Sequence, residues 1–176
     1  MAIALLCDPA IRKKVEDVGQ KPDHLVDLYI ESLNDAVAGA PAGVTFGVHM
    51  CRGNQGHGMS DAGYELIADK MFNKLDVDGY FLEYDTPRAG DFAPLRFLPK
   101  GKVAALGLVT TKKPEVESAD ELKRRIDEAA KVAPLDQLAL CPQCGFSSNV
   151  GTGRFTLGQV EAKLARIVEV AKSVWG

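Results

Sequence analysis

Apolar positions along the chain fall alternately into short runs and helical stripes. Residues 2–7 form a continuous apolar run that reads as a buried strand. Asp8-Pro9 is a helix-start pair, a capping carboxylate followed by a proline at the first helical position, and predicts a helix to Val18 with Gly19 as its stop. From Pro22 the stripe Leu25, Leu28, Tyr29, Leu33, Ala36 and Val37 predicts a longer helix to about Ala38. Residues 44–50 read as a second strand that opens into a glycine-rich loop over 52–61. Leu66, Ile67, Met71, Phe72 and Leu75 mark a helix over 62–75, and residues 79–84 a third strand. A long loop over 85–101 holds Pro87, Pro94 and Pro99 before a fourth strand at 103–109. Ser118-x-x-Glu121 is a capping box, and the helix it opens carries Leu122, Ile126 and Ala129 on one face. Residues 138–141 form a short fifth strand, and 142–155 a loop. A second capping box, Thr156-x-x-Gln159, precedes a terminal helix with Val160, Leu164, Ile167, Val168, Ala171 and Trp175.

Short apolar strands alternating with amphipathic helices predict an α/β fold with a parallel sheet and right-handed crossovers. No internal repeat, low-complexity segment or linker interrupts the pattern, so residues 1–176 read as a single domain. A closed (β/α)8 barrel needs eight strands and about 250 residues. About five parallel strands in 176 residues leave either a small open sheet or part of a TIM-type barrel that something else completes.

Composition narrows the function. The formal net charge of -3 argues against nucleic acid or an anionic membrane as the main partner. No apolar run approaches the ~18–20 residues that span a bilayer. The N-terminus lacks a basic stretch and breaks at Asp8-Pro9, which makes a cytoplasmic location the expectation. In that setting the four cysteines, Cys7, Cys51, Cys141 and Cys144, point to metal binding or catalysis more than to disulfides. A buried inert thiol is an equal reading for Cys7.

The chemistry gathers where strands end. Side chains two apart on a strand point the same way, so His49 and Cys51 share a face at the C-terminal end of the second strand. Glu83 ends the third strand, and the fifth runs into Cys141-Pro142-Gln143-Cys144-Gly145. Functional groups in parallel α/β folds sit at these strand ends. Zinc takes imidazole, thiolate and carboxylate in a tetrahedron, which one His, one Cys, one Glu and one more Cys would fill. Each residue alone has a plainer reading: packing for His-x-Cys, an ion pair for Glu83, a redox dithiol for Cys141 and Cys144. The run after Cys144, with Gly145 and several Ser and Asn, opens a helix poorly and sets the redox reading last.

Val48-His49-Met50-Cys51-Arg52-Gly53-Asn54, Phe81-Leu82-Glu83, Gly107-Leu108-Val109 and Pro142-Gln143-Cys144-Gly145 together resemble the C-terminal half of cobalamin-independent methionine synthase. They most resemble its shorter relatives, the 5-methyltetrahydropteroyltriglutamate–homocysteine methyltransferase-like proteins. The resemblance runs over nearly the whole chain and keeps the motif order. It implies Zn2+ held by His49, Cys51, Glu83 and Cys144, with Glu83 as the exchangeable ligand and Cys141 as a neighbour. It also implies activation of homocysteine's thiol for methyl transfer from a methyl-folate-type donor, forming methionine. The larger enzymes carry a proton-transferring His after Gly-x-Val. Here Thr110-Thr111-Lys112-Lys113-Pro114 puts Lys112 in that place, the candidate catalytic residue, with a solvated loop lysine as its plainer reading. Asp8-Pro9-Ala10-Ile11-Arg12 lacks the acidic pair of the family's Asp-Glu-Pro-Ala-Leu-Arg motif, so no substrate-binding role is carried onto it.

The other expectation is a zinc-binding half-barrel without activity alone, acting as a homo-oligomer or with a missing N-terminal half. Arg52 and Arg88 border the proposed site and could hold a substrate carboxylate, or serve as ordinary surface arginines. His57 could reach the pocket from its loop, although loop histidines are usually exposed. His24 reads as exposed, and Trp175 as a core or interface residue. Gly53-x-x-Gly56-x-Gly58 lacks the Lys-Ser/Thr of a phosphate loop.

Overall fold

A computed structural model describes residues 2–53, 60, 62–147 and 154–176. His57 and the glycines at 56 and 58 lie outside the described residues. Among the described residues, six α-helices and four strands follow one another as α1 (Ala2–Leu5), α2 (Pro9–Asp17), α3 (Pro22–Val37), β1 (Gly47–Met50), α4 (Ala68–Lys74), β2 (Gly79–Glu83), β3 (Val103–Val109), α5 (Ala119–Ala130), β4 (Leu138–Pro142) and α6 (Leu157–Trp175). Short 3-10 turns precede α4 and β4 and punctuate the segment between β2 and β3. Among the described residues no helix is long and apolar enough to cross a membrane.

The four strands form one parallel sheet in the order β1-β2-β3-β4, so the α/β expectation holds with four strands in place of about five. The difference is at residues 2–7, where the structure has helix α1 instead of a strand. Ile3, Ala4, Leu6 and Cys7 are the buried positions, a spacing that belongs to one face of a helix. A short apolar run without polar alternation fits either element, and here tertiary packing against α3 decides.

Local signals set the other boundaries. Asp8 caps α2 by accepting from Ala10 N–H, with Pro9 in the first turn. Thr156 and Gln159 bond reciprocally in a full capping box at α6. At α5 the box is half made: Ser118 Oγ accepts from Glu121 N–H, while the Glu121 carboxylate binds Arg124. The interior face of α3 is Val26 and Ile30, and Leu28 and Tyr29 of the expected stripe are exposed. Leu164 and Val168 of α6 are likewise exposed, while Trp175 donates from Nε1 to Leu135 O at 3.0 Å.

One face of the sheet packs on the helices through Met50, Tyr80, Leu82, Ala104, Leu106 and Leu138, all buried. The opposite face carries His49, Phe81, Glu83, Ala105 and Cys141 by strand alternation and register. No helix of the described chain covers its N-terminal end, where Phe81 is 44% and Val103 39% exposed over a hollow of about 580 Å³.

Candidate metal centre

Register brings the functional side chains together. His49 of β1 pairs with Phe81 of β2, Glu83 pairs with Gly107 of β3, and Gly107 pairs with Cys141 of β4. The chain therefore leaves adjacent strands at one end of the sheet. One donor atom each from His49, Cys51, Glu83 and Cys144 lies within 4.8 Å of the others. A zinc tetrahedron with bonds of about 2.0–2.3 Å has edges of roughly 3.3–3.8 Å, so the cluster needs a contraction of only about 1 Å. His49 Nε2 is buried without a hydrogen-bond partner among the described residues, 3.8 Å from Glu83 Oε1. An orphaned imidazole nitrogen beside a carboxylate, in a group that also holds two sulfurs, is a donor set that fits zinc.

Close backbone approach builds the cluster. A β-carbon on Gly107 would stand 2.6 Å from Leu82 O and 2.8 Å from Gln143 Cα, so only glycine lets β3 lie this near both. The register shift between Gly107 and Val109 then turns β4 across the strand end, where Gln143 N–H donates to Val109 O. Gln143 is 1% exposed. Its Nε2 donates to Glu83 Oε1 at 3.1 Å, and its Oε1 accepts from the Thr111 hydroxyl.

Two further residues hold Glu83 by its backbone. Tyr64 OH accepts from Glu83 N–H at 2.8 Å and donates to Met50 O at 3.0 Å, tying β1 to β2. Arg52 Nη2 donates to Glu83 O at 3.0 Å. Arg52 is 4% exposed, and its Nη1 donates to Ala62 O and Arg88 O. It is an internal clamp, not the surface or substrate-facing arginine expected from sequence. Arg88 donates to Ser60 O. His24 is exposed on α3.

The two thiols behave as a pair. Cys51 donates to Cys144, which pushes the Cys51 thiol up to about 12 and draws Cys144 down to about 7. The Lys112 ammonium adds a smaller lowering at Cys144. His49 is raised above its ordinary value, chiefly by its hydrogen bond with Cys51. Cys141 stays on β4, its thiol pushed up to about 12 by burial, and Cys7 is likewise held at about 12 in the core. Cys144 thus lies beside Cys51 in the cluster.

Lys112 sits beside this group on a braced loop. Its Nζ donates to Asp85 Oδ2 at 3.1 Å, and the same oxygen accepts from Thr110 Oγ1 at 2.8 Å. Thr110 N–H donates to Glu117, whose carboxylate is paired with Lys163, a residue fully buried on α6. Gln143, Tyr64 and the burial of Arg52 carry no signature in the sequence. The position of Gln143 between two cysteines is the nearest thing to one.

This arrangement can be set beside known proteins. The family model "Cobalamin-independent synthase, Catalytic domain" matches residues 3–173. The chain is 45% identical over 165 residues to the uncharacterized protein YxjG of Bacillus subtilis, covering 93% of this chain and 44% of that protein. It is 32% identical over 127 residues to a methionine synthase of Pyrococcus abyssi, covering 71% of this chain and 33% of that one. A B12-independent methionine synthase from Shewanella, solved with selenomethionine, superposes with a TM-score of 0.70 at 22% identity, covering 86% of this chain and 44% of that one. The last likeness speaks to fold alone. The chain spans less than half the length of the curated relatives it matches. With the match running from residue 3 to residue 173, the chain belongs to the cobalamin-independent synthase family as part of its catalytic domain.

Proposed function

We propose that the chain holds zinc through His49, Cys51, Glu83 and Cys144 and serves methyl transfer to the thiol of homocysteine from a methyl-folate-type donor. The observation that carries this reading is the cluster of four donor atoms within 4.8 Å, drawn from three strand ends. Bound there, zinc supplies the positive charge that keeps an incoming thiol deprotonated near neutral pH. The chain's own residues do the rest. Gln143 and Tyr64 fix the orientation of Glu83. Two thiolates and a carboxylate outweigh a divalent ion by one negative charge, which the Arg52 guanidinium, 3.7 Å from Glu83, offsets. Lys112, tethered by Asp85, is the group placed to meet an anionic part of a substrate or donor.

A free thiol titrates near 8.5, so at pH 7 homocysteine arrives almost wholly protonated. Its uptake by the zinc-loaded chain at pH 7 is expected to release about one proton per thiol, read by calorimetry in buffers of different ionisation heat. Uptake without proton release, or no uptake, contradicts the reading.

A second reading is favoured by the sheet itself. β1 and β4 each pair on one side only among the described residues, and the exposed Phe81 and Val103 lie on the open face. Closing an eight-stranded barrel takes four more strands. On this reading the chain is a metal-binding half-barrel that acts only with a second copy or a complementary half.

A further inference from the structure

Arg52 is a buried cation whose Nε faces Glu83. Nη1 donates to the carbonyls of Ala62 and Arg88, and Nη2 to that of Glu83. Nε is buried without a hydrogen-bond partner among the described residues and lies 3.7 Å from Glu83 Oε2. Glu83 Oε1 points the other way, 3.1 Å from Gln143 Nε2 and 3.8 Å from His49 Nε2. One carboxylate oxygen therefore addresses the donor cluster and the other addresses an unsatisfied guanidinium. Buried polar N–H groups are nearly always paired, so an orphan beside a carboxylate calls for a reason.

This inference rests on the metal reading above and deepens it. Among two thiolates, an imidazole and a carboxylate, the carboxylate is the hardest donor and the natural one to leave zinc. A third thiolate would also add negative charge to a site that already carries an excess. Yet Glu83 is 1% exposed, so a released carboxylate has no water to receive its charge. Its backbone is pinned at N–H by Tyr64 and at C=O by Arg52, so only its side-chain torsions are free to move.

The geometry points to Arg52 as the partner that receives the Glu83 carboxylate when a substrate thiol takes its place on the metal. With a metal bound there, a metal–sulfur bond would take the place of the metal–oxygen bond. The thiol proton goes to solvent, and Glu83 stays ionised. A charge-assisted hydrogen bond of about 2.8 Å to Arg52 Nε needs a shift of roughly 1 Å from the present separation. Arg52 acts through Glu83 and is a positioning residue.

The test uses the full chain loaded with Co2+, whose absorption reports the sulfurs bound to it, titrated with homocysteine. Arg52→Met is expected to take up cobalt but to bind the thiol about tenfold or more weakly. In a Glu83→Ala background, where there is no carboxylate to receive, the same change is expected to leave thiol affinity within about twofold. A merely structural role for Arg52 predicts the same loss in both backgrounds, and that result, or no loss in either, overturns the inference. Should Arg52→Met fail to fold, the wild-type crystal structure with cobalt and thiol decides. Glu83 Oε2 hydrogen-bonded to Arg52 Nε supports the role, and Glu83 still on the metal or turned to solvent overturns it. A wild-type chain that takes up no cobalt contradicts the metal reading itself. Cobalt and thiol uptake indifferent to Arg52 contradicts only this inference.

Discussion

Cys144 holds its proton less tightly than a free thiol because Cys51 donates to it, and Cys51 holds its own more tightly for the same reason. Metal entry must remove what remains. Above about 7, the value to which Cys144 is drawn, the proton to be displaced is the one on Cys51. Below it Cys144 is protonated as well, and His49, raised by its bond to Cys51, joins them. On the proposed reading protons and zinc compete for the same atoms, so zinc affinity is expected to rise with pH. Its slope is expected to steepen from about one proton per ion on the alkaline side toward three on the acidic side. Competition titrations against a chelator of known affinity across that range check this. An affinity independent of pH would mean that the ligands are already deprotonated, contrary to the hydrogen bonding described. Around the same atoms, Glu83 and Arg52 are a buried pair of opposite charges. Unit charges about 4 Å apart attract by about 4 kcal/mol at an effective dielectric near 20. Removing one partner of such a buried pair costs about 3–5 kcal/mol, because the other is left uncompensated.

At the scale of elements, the legible parts were those written in local chemistry. β3 over 103–109 is a continuous apolar run, and the structure has it at those bounds. Asp8-Pro9 and Thr156-x-x-Gln159 announce their helices because capping is settled within four residues. Residues 2–7 were not legible, since a short apolar run serves a buried helix as well as a strand. The inward face of α3 also depends on what lies beneath it, and Val26 and Ile30 take that place over Leu28 and Tyr29. The grouping of His49, Cys51, Glu83 and Cys144 could be anticipated because parallel strands deliver their C-terminal ends to one place. Tyr64 and Gln143 could not, because their roles arise only when β1, β2 and β4 converge across the bare backbone of Gly107.

For the whole molecule, the open face is the fact to explain. Among the described residues, four parallel strands in sequential order, each edge paired on one side, present Phe81 and Val103 to solvent above a hollow of about 580 Å³. Unpaired edges and exposed apolar surface favour association. This chain alone is expected to run above monomer mass by light scattering across a dilution series, and a clean monomer throughout contradicts that expectation.

The zinc content of the purified chain tests the proposed four-ligand site most directly. About one zinc per chain is predicted for the wild type after equilibration with zinc and removal of excess, falling to near none in Cys51→Ser and Cys144→Ser. No zinc in the wild type, or about one per chain retained in both variants, contradicts the account.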